Sequence, residues 1–233
     1  MTERTPKKFV GLHSHSCLSI GDAIGLPQDH IDFAIENGAD ALALTDHGNM
    51  NGFSHQYLHA KKLKEKGVNF KAIPGVEAYF IPSLVDWHKM YQERKIEKEE
   101  ARKAAEEEQD DLETSEEKNE EEEGGTVVEN EEETKERKVK DPLKKRSHLV
   151  LLAKNQAGLK SLFRLVSNSY IDGFYLYPRM DFDGLKEHAK GNIIASSACM
   201  GGEPAKIIYD NQIEPDFSKW GPNMDNFDKI QEE

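Results

Sequence analysis

Ala41-Leu42-Ala43-Leu44-Thr45-Asp46-His47-Gly48-Asn49 is the stretch from which the rest of the chain can be read. Four apolar residues form a short run that ends abruptly in a carboxylate and an imidazole. A bounded apolar run of this length predicts an interior strand of a largely parallel sheet. In α/β folds the C-terminal ends of such strands are where sites are built. Asp46 and His47 are adjacent, so in a regular strand their side chains point to opposite faces. Gly48 lets the chain turn at once, which could bring both to one cavity. Taken alone, the same residues also fit a turn that caps the next helix.

On the N-terminal side, Phe9 to His13 reads as a first strand, followed by a loop from Ser14 to Gly25. His13 and His15 are two apart and share one face of an extended segment. Pro27 suits the first turn of a helix with Ile31, Phe33, Ala34 and Ile35 on its apolar side, and Asn37-Gly38 is a C-terminal stop. On the C-terminal side, Asn51 to Lys66 reads as a helix with Phe53, Tyr57 and Leu63 inward. Lys71 to Phe80 reads as a third strand, interrupted at Pro74-Gly75. Strand, helix, strand, helix, strand is βαβ grammar.

Composition breaks this grammar once. The net charge is −13, yet between Glu93 and Lys140 there are 21 acidic and 10 basic residues, leaving 23 acidic against 21 basic elsewhere. The acidity therefore belongs to one insert. Lys89 to Gln109 is rich in helix formers, with Glu99 and Lys103 at helical spacing, and predicts an exposed charged helix. Beyond Asp110 a glutamate-rich tract cannot bury enough apolar surface to offset its ordering entropy and is expected to be disordered. A solvated insert is the simpler reading; an acidic mimic of nucleic acid is the alternative. No broad basic surface exists, so the footprint of a duplex-DNA binder is missing. Phosphate groups on a substrate would need local cations, which bound metal ions could supply.

Order resumes with a strand at His148 to Ala153 and a helix from Gln156 to Tyr170, with Leu159, Leu162, Phe163, Leu165 and Val166 inward. Asp172 to Arg179 is an aromatic loop, and the Asp181-Phe182-Asp183 triplet is expected to face solvent. Gly191 to Ser196 is a strand, a short helix runs from Glu203 to about Tyr209, and another starts after Pro222. Cys17 and Cys199 are far apart and indicate no disulfide framework. No segment approaches the apolar length of a bilayer span, and the N-terminus lacks a signal peptide's apolar stretch. A cytoplasmic location without membrane partners is the expectation.

The chemistry-bearing residues are His13, His15, Asp22, Asp46, His47, Glu77, His148 and Cys199. Several lie just past a predicted strand end, which in a barrel brings them to one rim. His148 fits that rule poorly, because it starts its strand. Imidazole, carboxylate and thiolate together satisfy divalent metals, zinc first, with manganese, magnesium or iron as alternatives. Singly, each has a plainer reading: a packed histidine, a buried ion-pair partner, a small buried thiol. As an ordered set they favour a metal site able to clamp a phosphoryl group and activate water.

Phe9-Val10-Gly11-Leu12-His13-Ser14-His15-Ser16, Ala43-Leu44-Thr45-Asp46-His47-Gly48-Asn49-Met50 and Ile73-Pro74-Gly75-Val76-Glu77-Ala78-Tyr79 resemble successive motifs of the PHP (polymerase and histidinol phosphatase) family. His148-Leu149-Val150-Leu151-Leu152-Ala153-Lys154-Asn155, Gly173-Phe174-Tyr175 with Pro178-Arg179, and Ser197-Ala198-Cys199-Met200-Gly201-Gly202-Glu203 resemble more narrowly the PHP domain at the N-terminus of bacterial DNA polymerase III alpha subunits. The likeness covers the chain except Trp87 to Arg146. It divides the chain into residues 1–86, an insert over 87–146, and residues 147–233. It implies a distorted (β/α)7 TIM-like barrel with up to three metal ions, held by His13, His15, Asp22, His47, Glu77, His148 and Cys199. Asp46 and His47 would be the residues nearest the chemistry. It further implies phosphoesterase or 3′–5′ exonuclease activity, and as partners DNA, the other polymerase modules, and the proofreading and clamp subunits. The family's last Asp and His motif is expected beyond Glu233, leaving the barrel open and one metal short. No polymerase palm or fingers fall within the chain. A stand-alone phosphatase of the histidinol-phosphate type, a metal-dependent amidohydrolase, and a non-catalytic interaction module are the competing readings.

Overall fold

The computed structural model describes residues 9–116 and 141–210, at the level of the backbone alone over 106–116 and 209–210. The expected helix after Pro222, and the glutamate-rich tract past Glu116, lie outside the described residues. Within them the chain is a mixed α/β fold built on one six-stranded sheet. Helix α1 (Pro27–Glu36) leads to strand β1 (Ala41–Leu44), and α2 (Asn51–Glu65) leads to β2 (Lys71–Phe80). The long helix α3 (Leu84–Glu116) and a 3-10 turn (Pro142–Lys144) precede β3 (Ser147–Ala153). Helix α4 (Gln156–Ile171), the short pair β4 (Phe174–Tyr175) and β5 (Tyr177–Met180), α5 (Phe182–Ala189), β6 (Ile193–Ser196) and α6 (Glu203–Asp210) follow.

Strand β2 is the spine. Its first four residues pair in parallel with β1, Leu44 lying opposite Pro74, while Gly75 to Phe80 pair antiparallel with β3. Pro74 has no N–H to give to a ladder, and it stands where β2 exchanges one partner for the next. The expected interruption is thus a change of neighbour in an unbroken strand. The end of β2 also pairs in parallel with β5, and β3 pairs antiparallel with β6. Among the described residues the sheet does not close, in keeping with an open version of the TIM-like barrel.

Two expectations about strands need correction. Phe9 to His13 is no full strand: it touches β1 through a single bridge, Gly11 with Leu42. The segment is still held firmly, because Ala43 N donates to Gly11 O at 2.8 Å and Thr45 N to Ser14 O at 2.7 Å. Strand β3 runs against β2, where the βαβ pattern predicts a parallel neighbour. The reason lies at the base of the insert. Trp87 Nε1 donates to Leu143 O at 3.1 Å, and Arg94 pairs with Asp141 at 2.6 Å. The chain therefore leaves and re-enters at the same rim, and can only start back down the sheet.

The core has its main cluster between β2, β3 and α4, where Val76, Ala78, Leu151, Leu162 and Leu165 are buried, and a second between α1, α2 and β1 around Ile31, Leu44 and Ala60. Phe33, Tyr57 and Phe163, expected inward, are 67%, 56% and 46% exposed. On each helix the buried positions are taken instead by nearby residues, Ile31, Ala60 and Leu162. The aromatic loop is a two-strand hairpin turning at Leu176, with φ of +61°. Asp181 does not face solvent: buried, it caps α5 through Gly184 N at 2.9 Å and also accepts from Leu84 N at 2.9 Å, while Asp183 stays exposed. The insert helix is longer at both ends than its composition predicts.

Candidate metal centre

The site is assembled at the rim where β1 and β2 end and β3 begins. Thr45, fully buried, fastens the histidine segment: its hydroxyl lies 3.2 Å from both Ser14 N and Ser14 O. This fixes His13 and His15 on one side of Ser14, as extended backbone dictates. Past β1 the pairing with β2 resumes at His47 and Glu77, where Gly48 N donates to Glu77 O at 2.8 Å. Gly48 adopts φ of +65°, and a Cβ there would fall 2.8 Å from Pro178 Cγ and 3.1 Å from the Tyr79 ring. The turn after His47 therefore needs glycine on two counts.

Glu77 is the centre of the arrangement, and it is fully buried. Its Oε2 lies 3.1 Å from His13 Nε2, 3.0 Å from His15 Nε2 and 3.1 Å from His47 Nδ1. Its Oε1 lies 3.0 Å from His148 Nδ1 and accepts from Cys199 Sγ at 3.6 Å. Cys199 Sγ is also 3.5 Å from His148 Nδ1. Asp22, from the loop after the histidines, reaches His47 Nε2 at 3.1 Å. His148 meets Glu77 because β3 is antiparallel, so its first residues stand beside the last residues of β2. The apparent misfit of His148 with the rim rule disappears.

Burial alone would raise the Glu77 carboxyl, but the imidazoles of His148, His15 and His13 outweigh it and hold the group well below the usual carboxylate range. The opposing influences split the histidines. Burial works against the charged form of His15, yet its close approach to Glu77 and the charges of Glu77, Asp22 and Asp46 lift its pKa. At His47 burial, helped by His15 and His148, wins over Glu77 and lowers it.

Three overlapping trios offer converging ligand atoms: His13, His15 and Glu77; His15, Asp22 and His47; and His47, Glu77 and His148. Two buried atoms within them, Glu77 Oε2 and His47 Nδ1, have no hydrogen-bond partner despite these short distances. Buried polar atoms without partners are rare and call for an explanation. Imidazole nitrogens crowd one carboxylate oxygen with their hydrogens misdirected, a geometry suited to a cation among them. Nitrogen, oxygen and sulfur donors in this mixture fit zinc or manganese.

A family model for the PHP domain matches residues 11–232. The chain belongs to the PHP domain family. It is 33% identical to the DNA polymerase III subunit alpha of Borreliella burgdorferi over 208 residues, which are 89% of this chain and 13% of that protein. It is also 31% identical over 207 residues to the subunit of Deinococcus radiodurans, covering 87% of the chain and 12% of the relative. Against that of Thermus aquaticus it is 32% identical over 209 residues, 89% and 13% respectively. The chain thus spans little more than a tenth of the length of these relatives. Among the described residues no helix is long and apolar enough to cross a membrane.

Within this PHP domain Asp46 stands apart from the trios. Buried, it accepts from Ser16 N at 2.7 Å, from Ser16 Oγ at 2.9 and 3.0 Å, and from Ser19 Oγ at 2.8 Å. A Cβ on Gly52 would sit 2.5 Å from its Oδ2, so the carboxylate also abuts α2. Asp46 and His47 diverge, as adjacent strand residues should, and Ser19 links them. The Ser19 hydroxyl accepts from His47 N at 3.1 Å and lies 3.3 Å from His15 Nδ1. Ser16 and Ser19 were not among the sequence candidates; their only signal is a run of hydroxyls, at 14, 16 and 19, interleaved with the histidines.

Proposed function

We propose that the chain is the PHP domain of the N-terminal region of a replicative DNA polymerase III alpha subunit, and that it carries a metal-dependent phosphoesterase site of the 3′–5′ exonuclease type. The supporting observation is a fully buried Glu77 with four imidazoles and a thiol converging on its two oxygens, one of them without a hydrogen bond. The relatives named above are DNA polymerase III alpha subunits, which supports the same assignment; in this reading the protein works with DNA and the other replicase subunits in the cytoplasm.

In this reading His13, His15, Asp22, His47, Glu77, His148 and Cys199 hold divalent ions, zinc or manganese before magnesium. Such ions, when bound, polarise phosphoryl oxygens and lower the pKa of water. Glu77 bridges neighbouring trios, which its two oxygens permit. Asp46 acts through Ser19, whose hydroxyl fixes the angle of His15 and the backbone of His47; partners of this kind orient ligands. The chain's own chemistry is thus to gather and aim donors, and to keep the carboxylate ionised.

The test is direct. The protein equilibrated with Mn2+ or Zn2+ and freed of excess is analysed for metal, then given a 5′-labelled single-stranded DNA. Metal at one or more ions per chain, with stepwise shortening from the 3′ end that Glu77→Gln abolishes, is expected. Metal uptake without shortening would leave a binding module and reject the phosphoesterase; no uptake would reject both.

A further inference from the structure

The guanidinium of Arg146 lies just outside the histidine cluster, and its surroundings do not account for its charge. Arg146 immediately precedes β3, two residues before His148. Its Cζ sits 3.6 Å from the centre of the Tyr177 ring and 5.0 Å from that of Tyr79. The Tyr79 ring in turn stacks on His47, with centroids 5.8 Å apart and planes 6° from parallel, and meets His148 edge-on at 5.5 Å. One aromatic ring therefore separates the guanidinium from the imidazoles that surround Glu77.

A guanidinium has five N–H donors in a planar fork. At Arg146 one nitrogen is used, Nη1 donating to Lys144 O at 3.2 Å, and the buried Nε has no partner. Among the described residues no carboxylate lies within ion-pair distance of it. Stacking on aromatic rings orients the fork and leaves its edge free, which is the disposition arginine takes for phosphate recognition. Arg179, two residues past Tyr177, shows what a structural arginine looks like here: its Nε also lacks a partner, but its two Nη groups make three bonds to backbone carbonyls.

We propose that Arg146, held on the Tyr177 and Tyr79 rings beside the His/Glu cluster, binds a phosphate oxygen of the substrate. The assignment rests on the phosphoesterase reading and adds a substrate-binding residue to it. Metal-binding motifs do not reveal this residue, because it belongs to the insert's return rather than to a strand end. Its role is to anchor a phosphate of the substrate beside the cluster, on the far side of the Tyr79 ring from His47. The Tyr177 ring supplies a flat support.

The experiment uses the full chain loaded with Mn2+, comparing wild type with Arg146→Met and Arg146→Lys. Metal content, thermal midpoint, the dissociation constant for inorganic phosphate by calorimetry, and KM and kcat on a single-stranded oligonucleotide are measured. Arg146→Met is expected to weaken phosphate binding and raise KM by about 10- to 100-fold, the range for losing a charge-assisted bond. Metal content should be unchanged, and Arg146→Lys should recover part of the loss. Unaltered phosphate affinity in Arg146→Met overturns the proposal, as does a fall in metal content or thermal midpoint with KM untouched, which marks a packing role. A wild-type chain that binds phosphate through Arg146 yet hydrolyses nothing supports the contact and rejects the phosphoesterase.

Discussion

Glu77 and Arg179 are buried charges of opposite sign on neighbouring strands, and their surroundings meet the cost of burial in different ways. Leaving a charge in the interior without compensation is expensive. Around Arg179 the chain itself supplies the compensation. Its Nη1 donates to Tyr175 O at 2.7 Å and Tyr177 O at 2.9 Å, its Nη2 donates to Leu143 O at 2.9 Å, and the Trp87 ring lies 5.1 Å from Cζ. Burial depresses its pKa to about 10, so it stays charged at neutral pH. Around Glu77 the neighbours are all side chains of metal-ligand types; one of its oxygens, like Arg179 Nε, has no hydrogen bond, so the contrast lies in which groups surround each charge. One charge is met by backbone carbonyls and an aromatic ring; the other is met by imidazoles and a thiol, groups that could also hold a cation. That difference separates a structural buried charge from a candidate ligand, and each prediction below can break it.

The largest expected effect is on stability. Arg179→Met removes three hydrogen bonds at once and strands the carbonyls of Tyr175 and Tyr177, while Leu143 O keeps its bond from Trp87 Nε1. A loss of about 3–5 kcal/mol is expected, the range for breaking a buried charged network. Chemical denaturation would measure it. Metal bound per folded chain should not change; metal loss in proportion would mean the two regions are one unit.

Glu77→Gln should do the reverse. Losing a supporting partner of a ligand already costs about 10–100-fold in metal affinity, so losing the central carboxylate should cost more than about 100-fold, with the fold retained. In metal-free protein the pH dependence has a definite sign. The folded Glu77 carboxyl is held below its ordinary value of 4.5, so its contribution exists above that pH and fades as pH falls. The His15 pKa is raised, so its share exists below its ordinary value of 6.5 and fades as pH rises. The stability gap between wild type and Glu77→Gln should therefore be widest between about pH 4.5 and 6.5. Denaturation midpoints across pH 3–8 would show the maximum, and a monotonic curve would contradict it.

Cys199→Ser tests the edge of the site. Cys199 lies in an exposed loop and belongs to none of the three trios, although its thiol is near Glu77 and His148. A reduction in zinc affinity of about tenfold is expected, the low end of what loss of a supporting group costs. Competition with a chromogenic chelator would measure it. A loss as large as that of Glu77→Gln would move Cys199 to the centre.

The binding region was more legible in sequence than the structural one, for a physical reason. Ligand chemistry confines a metal site to a few residue types, so His13, His15, Asp22, His47, Glu77, His148 and Cys199 could be singled out as candidates, and the geometry brings them to one cluster. The direction of β3 was not legible, since hydrophobic runs specify a strand and not its polarity. What sets that polarity is the pairing of Trp87 with Leu143 and Arg94 with Asp141 across the insert, contacts between residues about fifty apart. Arg179 and Asp181 were missed because a buried charge satisfied by backbone groups leaves no side-chain partner to find. Phe33, Tyr57 and Phe163 were placed inward because hydrophobicity marks a face more broadly than the sheet can cover.

The smallest expected effect falls at the root of the insert, and it separates hydrogen bonding from packing there. Trp87 is buried against Ile81 and Leu143 and stacks on Tyr91 at 5.3 Å. Trp87→Phe keeps an aromatic ring in that place but removes the indole N–H. Leu143 O would still accept from Arg179 Nη2, so no carbonyl is stranded, and the loss should be about 1 kcal/mol, that of one ordinary bond. For a chain of this size it lowers Tm by roughly 2–4 °C. Because β3 starts only a few residues after Leu143, a looser root would let His148 drift from Glu77. Metal affinity measured beside Tm decides whether it does. Unchanged affinity with a small fall in Tm means that Arg179 and the Arg94–Asp141 pair hold the return of the chain in register without the indole bond. A fall in affinity means that the insert's root also sets the geometry of the site.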